Sequence, residues 1–275
     1  MTAMTKPLPQ TQSVSEKSKG MPLWKQITMM TWRNLVVIRR TPASVLPGLM
    51  ISVFFLFIYE ASLSGAANFF LAGKSYLAFI LPVSIISASL SGSGLAGQYI
   101  VRDIENGYFD KLLLTPISRI ALLSGPVFAG AIMLAIQTAL ILTVAVLMGL
   151  ESATGLGGIL AVLGFGLLLG TGFAGFGVSV ALLTGSAAAT SGASFAFFPL
   201  TFLTATFVPI NLLEGWLKTA AEWNPITYVL QATRSILLDG WNWEYIGQGL
   251  IACAILGLVP FFIALWALRQ RTSRK

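Results

Sequence analysis

Long apolar stretches, nearly free of charge, dominate the chain and are separated by short polar segments. They cover about 43–61, 76–101, 120–150, 152–213 and 245–268. A bilayer core about 30 Å thick is crossed by roughly 20 apolar helical residues, so the window 152–213 must hold two helices. Its Gly/Ser/Ala-rich middle, 184–192, predicts a turn between spans near 158–183 and 192–212. The pattern therefore predicts six transmembrane helices.

Composition supports the same fold class. The 275 residues are 56% hydrophobic and 10% charged, and the mean hydropathy is +0.81, so most of the surface must face lipid. We expect an all-α integral membrane protein with one transmembrane domain over 21–275. Residues 1–20 are polar and lack the apolar core of a signal peptide, which predicts a disordered cytoplasmic tail.

Basic residues predict the orientation, because Lys and Arg are retained on the cytoplasmic side. With the N-terminus inside, fourteen of the seventeen fall in cytoplasmic segments, and only Lys74, Lys218 and Arg234 fall outside. All seven Trp residues lie near a predicted membrane interface, where this side chain is enriched. Both termini are therefore predicted to be cytoplasmic, in the inner or plasma membrane.

Residues 22–40 predict an amphipathic helix that lies in the interface, between Pro22 and Pro42. At 100° per residue, its basic side chains fall within about a third of the circumference and its apolar side chains cluster opposite. The basic group is Lys25, Arg33, Arg39 and Arg40, and the apolar group is Leu23, Ile27, Met30, Val37 and Ile38.

Several functional classes are disfavoured by what the chain contains. There is no His, and the single Cys253 lies in an apolar run, so no clustered metal site or Cys/His nucleophile can form. The net charge of +7 flanks apolar segments, which is typical of membrane orientation and disfavours nucleic-acid binding. We expect neither an enzyme in its own right nor a cofactor bound by this chain.

Three glycine-rich motifs resemble nucleotide-binding loops but lack the required context. The GxGxxG matches at 92–97 and 170–175 lie inside apolar spans rather than after a strand, so they predict close helix packing. Gly73-Lys74-Ser75 lacks the glycine five residues earlier, where Asn68 stands. We therefore expect no ATP site on this chain.

The first inner loop, 102–119, is the densest polar segment, with three residues of each sign. Apolar side chains between these charges, including Tyr108 and Phe109, predict a short helix that docks onto another surface. The alternative is a solvated loop whose charges pair locally.

This loop, Glu105-Asn106-Gly107-Tyr108-Phe109-Asp110-Lys111-Leu112-Leu113-Leu114-Thr115-Pro116-Ile117-Ser118-Arg119, resembles the first cytoplasmic loop of ABC-2 type permeases. The similarity is to the drug-resistance and polysaccharide or lipid exporter branch. A second match covers Phe207-Val208-Pro209, Trp216-Leu217, Asn224-Pro225-Ile226-Thr227-Tyr228-Val229 and Arg234, which are similar to that family's outer loop between spans five and six. The resemblance runs from about Trp24 to the end.

The resemblance implies half of an export channel, in which two permease copies pair and two separate ATP-binding subunits carry ATP and Mg. In the family, a coupling helix in the first inner loop sits in a cleft of the ATPase subunit. The residues that would carry this role are Arg102, Glu105, Tyr108, Phe109 and Asp110.

The resemblance also places substrate between the second and fifth spans of both copies. Residues at helical spacing there are Ser84, Ser87 and Ser91 on the second span, and Phe195, Phe198 and Phe202 on the fifth. The alternative is that these stripes pack against lipid or a neighbouring helix.

An outer gate is expected from the apolar loop 212–246, predicted to form short helices in the outer leaflet. Its candidate residues are Pro209, Trp216, Asn224, Pro225 and Tyr228. Glu60, the only acid within the apolar windows, is a functional candidate or an interfacial side chain that reaches water.

The sequence therefore predicts the permease subunit of an ATP-driven exporter for an amphipathic drug-like molecule, a lipid or a lipid-linked glycan. It would act as a homodimer or with a close relative, in contact with membrane lipids. Two alternatives stay open: a self-sufficient carrier or channel, expected to show inverted repeats and intramembrane charges, and a non-transporting membrane scaffold.

Overall fold

The computed structural model describes residues 21–71, 73–207 and 209–273, with side chains described except at 66–70, 90, 91, 196–198 and 271–273. The predicted tail 1–20 lies outside the described residues. Within them the chain forms helices and no strand. The helices are α1 (Leu23–Arg40), α2 (Leu46–Leu71), α3 (Tyr76–Glu105), α4 (Tyr108–Leu113), α5 (Arg119–Leu147), α6 (Gly155–Thr184), α7 (Ala187–Phe202), α8 (Gly215–Trp223), α9 (Pro225–Leu238) and α10 (Trp243–Ser273), with short 3₁₀ turns at Pro42–Ser44 and Ile210–Leu212.

The all-α membrane architecture is confirmed, because five helices in the described chain are long and apolar enough to cross a bilayer. They are α2, α3, α5, α6 and α10. The helix at the predicted fifth span, α7, has 16 residues, or about 24 Å, and ends at Phe202 rather than near 212. Pro199 lies in its last turn, and later segments of the chain bind its final carbonyls. The count of six spans stays a prediction.

Helices α3 and α6 form the centre of the bundle, and glycines bring them together. A Cβ atom on Gly97 would lie 2.4 Å from the carbonyl oxygen of Gly177 on α6. A Cβ on Gly170 would lie 2.7 Å from the Cα of Ala131 on α5. Both distances are shorter than real contacts, so these positions require glycine. The GxGxxG segments therefore serve helix packing, as predicted.

The helix predicted over 22–40 forms as α1 and packs across the first turns of α5. Met30 approaches so closely that a Cβ on Gly125 would lie 2.5 Å from its Cβ. The side chain of Gln26 accepts a hydrogen bond of 2.8 Å from the backbone N–H of Ser118, just before α5 begins. Further along, Ile38 shares a buried cluster with Ala129. The outward side of α1 leaves Trp24 and Trp32 exposed.

The two helices between α7 and α10 have different surroundings. Helix α9 is buried in the bundle through residues such as Ile226, Leu230 and Ile236. The loop before α6 binds its end, where Thr154 Oγ1 donates a hydrogen bond of 2.9 Å to the carbonyl of Ile236. Helix α8 has one buried residue, Ala221. Helix α9 therefore closes one end of the bundle, and α8 lies outside it.

Candidate functional site

The predicted coupling loop forms a sharp turn followed by a short helix. Helix α3 ends at Glu105, and the backbone N–H of Asn106 donates a hydrogen bond of 3.0 Å to the carbonyl of Arg102. Gly107 then adopts a φ of +65°, a left-handed conformation that glycine accepts without steric cost. This residue redirects the chain so that α4 folds back against the end of the bundle.

One side of α4 is anchored in the bundle. Phe109 is 1% exposed and Leu112 is also buried, and both belong to a cluster with Ile100 of α3, Leu123 of α5 and Leu268 of α10. Phe109 was predicted to contact an ATPase subunit, but its burial leaves no surface for a partner. Its side chain therefore anchors α4 to the bundle. Truncation of a buried aromatic side chain lowers the free energy of unfolding by about 3–5 kcal/mol.

The other side of α4 is exposed and carries the surface that a partner could contact. Tyr108 is 40% exposed, Glu105, Asp110 and Lys111 are also exposed, and Leu114 is 88% exposed. We call these five residues the α4 surface. Leu114 was not among the predicted coupling residues, although its position on the charged side of the helix, away from Phe109, distinguishes it from the buried residues.

Arg33 of α1 joins three elements beside the α4 surface. Its guanidinium donates a hydrogen bond of 2.5 Å to the carboxylate of Asp103 on α3. The same group lies 4.4 Å from the ring centroid of Tyr108, a distance typical of a cation–π contact. This junction could not be predicted from a local pattern, because Arg33 and Asp103 are 70 residues apart. Arg102, predicted to take part in coupling, is exposed and lines a cavity next to α1.

The serines of the predicted substrate path lie inside the protomer where they are described. Ser84 is 1% exposed, and its hydroxyl has no hydrogen-bond partner among the described atoms. Ser87 is half-buried and donates to the carbonyl of Val83, one turn earlier in α3, over 2.9 Å. The side chain of Ser91 lies outside those described. Ser84 therefore faces the core of one protomer rather than an open path.

Helix α7 packs against α3 on one side and exposes an apolar stripe on the other. Two hydrogen bonds of 2.9 Å join the helices, from Ser93 to Ser194 and from Gln98 to Ser191. The structure thus brings together the helices that were predicted to flank the substrate. The exposed stripe runs along one face through Ala188, Gly192, Phe195, Pro199 and Phe202, with Phe195 at 75% and Phe202 at 41% exposure. The side chain of Phe198 lies outside those described.

Asn224 connects the predicted outer gate to the end of α7. Its side-chain N–H groups donate to the carbonyls of Leu200 and Leu203, at 2.8 and 3.2 Å. Its side-chain oxygen accepts a hydrogen bond of 3.0 Å from the N–H of Ile226 and so caps the start of α9, where Pro225 is the first residue. Asn224 therefore joins the end of one helix to the beginning of another.

Arg234 of α9 binds the non-helical segment that follows α7. It is 6% exposed, and its guanidinium donates to the carbonyls of Phe79 (2.8 Å), Thr206 (2.7 Å) and Ala205. It also stacks on the ring of Phe79, with 3.5 Å to the centroid. The planar group thus satisfies the carbonyls of Ala205 and Thr206, which lie outside any helix, and adds a bond to the first turn of α3. The sequence marked this residue only as a basic position of the outer loop.

The other predicted gate residues lie around this junction. Tyr228 donates a hydrogen bond of 2.8 Å to the carbonyl of Glu222, which connects α9 to α8. Trp216 is 74% exposed, and Pro209 is half-buried before the second 3₁₀ turn. One carboxylate oxygen of Glu60 is buried and unpaired among the described atoms, while the residue as a whole is half-buried. The gating role stays a prediction.

The described residues contain no group of three or more His, Cys, Asp or Glu side chains that could hold a metal ion. Cys253 is buried in α10. The α4 surface therefore offers charged and apolar side chains that a partner protein could bind. The junction of α7 and α9 is held by hydrogen bonds, which could break and re-form if these helices move.

Comparison with known proteins gives consistent matches over most of the chain. A family model described as "ABC-2 type transporter" matches residues 25–238. A daunorubicin resistance ABC transporter permease protein, DrrB1 of Streptomyces coeruleorubidus, is 25% identical over 85% of this chain and 82% of its own length. A putative transport permease, ycf38 of Cyanophora paradoxa, is 24% identical over 87% of both chains. A probable doxorubicin resistance ABC transporter permease protein, DrrC of Mycobacterium tuberculosis, is 24% identical over 78% of both.

Proposed function

Because the chain belongs to the ABC-2 type transporter family, we propose that it is the membrane-spanning permease subunit of an ATP-driven exporter. Separate ATP-binding subunits, two per complex, hold ATP and Mg and drive transport. The substrate is amphipathic or hydrophobic, either a drug-like molecule, a lipid or a lipid-linked glycan. Two relatives whose names refer to daunorubicin and doxorubicin resistance favour the drug-like class. The complex lies in the inner or plasma membrane with both termini of this chain in the cytoplasm.

The observation that carries this proposal is the construction of α4. Phe109 and Leu112 fix the helix to the bundle, and the α4 surface is left exposed with Leu114 at its end. An 88% exposed leucine beside charged residues is typical of an anchor that becomes buried in a partner. Because α4 is anchored to α3, α5 and α10 together, a displacement of α4 by a bound partner would be transmitted to these membrane helices.

A second copy of the chain would cover the apolar stripe on α7. Helix α2 also leaves an apolar side exposed, including Met50, Phe54 and Phe57. Two copies that meet through α2 and α7 would enclose a path between them. Phe195 and Phe202 would then line that path, and an apolar substrate suits such aromatic side chains.

The α4 surface can be tested by truncating two leucines of similar exposure, one just before α5 and one at its far end. Leu114→Ala removes an exposed apolar side chain just before α5, and Leu147→Ala removes one at its far end, where Leu147 is 82% exposed. If Leu114 is buried on docking, its truncation loses about 2 kcal/mol, or roughly thirtyfold in affinity for the ATP-binding subunit. Leu147→Ala should leave co-purification and substrate-stimulated ATP hydrolysis unchanged.

Transport by reconstituted vesicles separates the proposal from its alternatives. An exporter requires the ATP-binding subunit and ATP, and Leu114→Ala should reduce transport in parallel with binding. Transport by this chain alone, driven by an ion gradient, would identify a carrier or channel instead. A chain that binds no ATPase and moves no drug-like or lipid substrate would be a scaffold.

A further inference from the structure

A cavity of about 310 Å³ lies between α1 and the last turns of α3. Three arginines line it, Arg33, Arg40 and Arg102, together with a single acidic residue, Asp103. This volume equals that of roughly ten molecules of liquid water, which is enough for a phosphate group and part of the alcohol to which it is esterified. The arrangement is a polar cavity with a net charge of +2 on its lining residues.

Two of the three arginines have no partner that would neutralise them. The carboxylate of Asp103 is engaged by Arg33 at 2.5 Å. Arg40 and Arg102 form no ion pair or hydrogen bond with their side chains in the part of the chain that the structure describes. Guanidinium groups bind phosphate oxygens in pairs of parallel hydrogen bonds, which are among the stronger polar contacts in proteins. The cavity therefore has the chemistry of a phosphate site.

We place the cavity at the depth of lipid head groups. Helix α5 is about 43 Å long, longer than the roughly 30 Å hydrocarbon core, and we assign the excess to its first turns because they follow the charged loop 102–119. Helix α1 packs along these turns, from Gln26 beside Ser118 to Ile38 beside Ala129. Its outward side exposes Trp24 and Trp32, at 64% and 68%, as is typical of helices at a membrane interface.

Behind the cavity, an apolar crevice between α1, α3 and α5 begins at Asn34 and Tyr99, which line both spaces. It holds about 20 Å³, room for about one water molecule. Hydrocarbon tails therefore cannot follow the head group inward and would stay in the surrounding bilayer. This geometry suits a lipid that is held by its head group at the rim of the bundle.

We propose that this cavity binds the phosphate of an anionic membrane phospholipid, through Arg40 and Arg102 with Arg33 at its edge. The lipid is retained as a structural ligand rather than transported. Because Arg33 also contacts Asp103 and Tyr108, an occupied cavity holds α1, α3 and α4 together at the place where a partner would act. The site does not depend on the substrate of the proposed exporter.

Native mass spectrometry of the full-length chain in detergent micelles tests the proposal. Phosphatidylglycerol and phosphatidylcholine are added in equal amounts, and the bound fraction of each is measured. The Arg40→Gln/Arg102→Gln double variant is compared with Arg39→Gln, which removes an exposed charge of α1 that does not line the cavity. Because it loses the charge-assisted hydrogen bonds of two guanidinium groups, the double variant should bind phosphatidylglycerol at least tenfold more weakly, which corresponds to about 1.4 kcal/mol or more. Arg39→Gln should change it less than twofold.

Three results would overturn the proposal. Equal losses in Arg39→Gln and the double variant would mean that only total charge matters. Competition by millimolar inorganic phosphate, with no preference for phosphatidylglycerol, would assign the cavity to free phosphate. In the assembled complex, loss of the ATP-binding subunit in the double variant, with lipid binding unchanged, would make the arginines a protein contact. Melting curves of the detergent-solubilised variants verify that these exposed substitutions leave the fold intact.

Discussion

Arg234 is expected to stabilise the junction of α7 and α9 more than any surface ion pair does. Its substitution tests how α9 is held in place. Its guanidinium donates to three buried carbonyls, those of Phe79, Ala205 and Thr206. Arg234→Met keeps an apolar stem of similar length but leaves the carbonyls of Ala205 and Thr206, which lie outside any helix, without a donor. Each unsatisfied buried acceptor costs about 1–3 kcal/mol, so the expected loss is about 3 kcal/mol. Arg234→Lys can satisfy one carbonyl, and we expect a loss of about 2 kcal/mol.

Hydrogen exchange in α9 measures this loss directly. Because about 1.4 kcal/mol corresponds to a factor of ten, amides of α9 should exchange roughly a hundredfold faster in Arg234→Met and about thirtyfold faster in Arg234→Lys. The control is Lys74→Met, which breaks the pair of Lys74 with Asp239, whose side chains are 49% and 52% exposed. An exposed pair contributes less than about 1 kcal/mol. Equal exchange in Arg234→Met and Lys74→Met would refute the argument that Arg234 holds the junction.

Two further predictions concern packing and orientation. Gly97→Val should destabilise the chain by several kcal/mol or prevent folding, because its Cβ would lie 2.4 Å from the carbonyl oxygen of Gly177. Gly92→Ala, whose Cβ would have no atom within 4 Å, should be tolerated, and thermal melting in detergent compares the two variants. If the termini are cytoplasmic, an impermeant maleimide added to intact cells should label Trp216→Cys and not Leu114→Cys, and the buried Cys253 should not be labelled. The reverse labelling pattern would contradict the orientation.

The long helices could be predicted from the sequence because their signal is local. A charge-free window of sufficient length identifies a span without any knowledge of its neighbours, and α3, α5, α6 and α10 begin and end close to the predicted bounds. The end of α7 could not be predicted in this way. The carbonyl of Leu200 in its last turn binds Asn224, 24 residues later, and the segment that follows the helix binds Arg234 of α9.

The candidate site shows a similar division. The sequence marked the loop 102–119 as a docking segment because its apolar and charged residues alternate, and a helix forms there. It did not separate Phe109, which is buried, from Leu114, which is exposed, because which side of α4 meets the bundle depends on packing against α3, α5 and α10. It also missed Arg33, whose partners lie 70 and 75 residues away.

Helix α3 connects the two ends of the molecule where polar contacts concentrate. It spans 30 residues, about 45 Å, and is the most completely buried of the five long apolar helices. At one end the carbonyl of Phe79 binds Arg234, and at the other Asp103 binds Arg33 before Gly107 leads into α4. Since a close-packed helix transmits displacement along its axis rather than absorbing it, movement of α4 should reach α9 through α3. The same helix would then link the surface open to a partner with the junction that closes the opposite end.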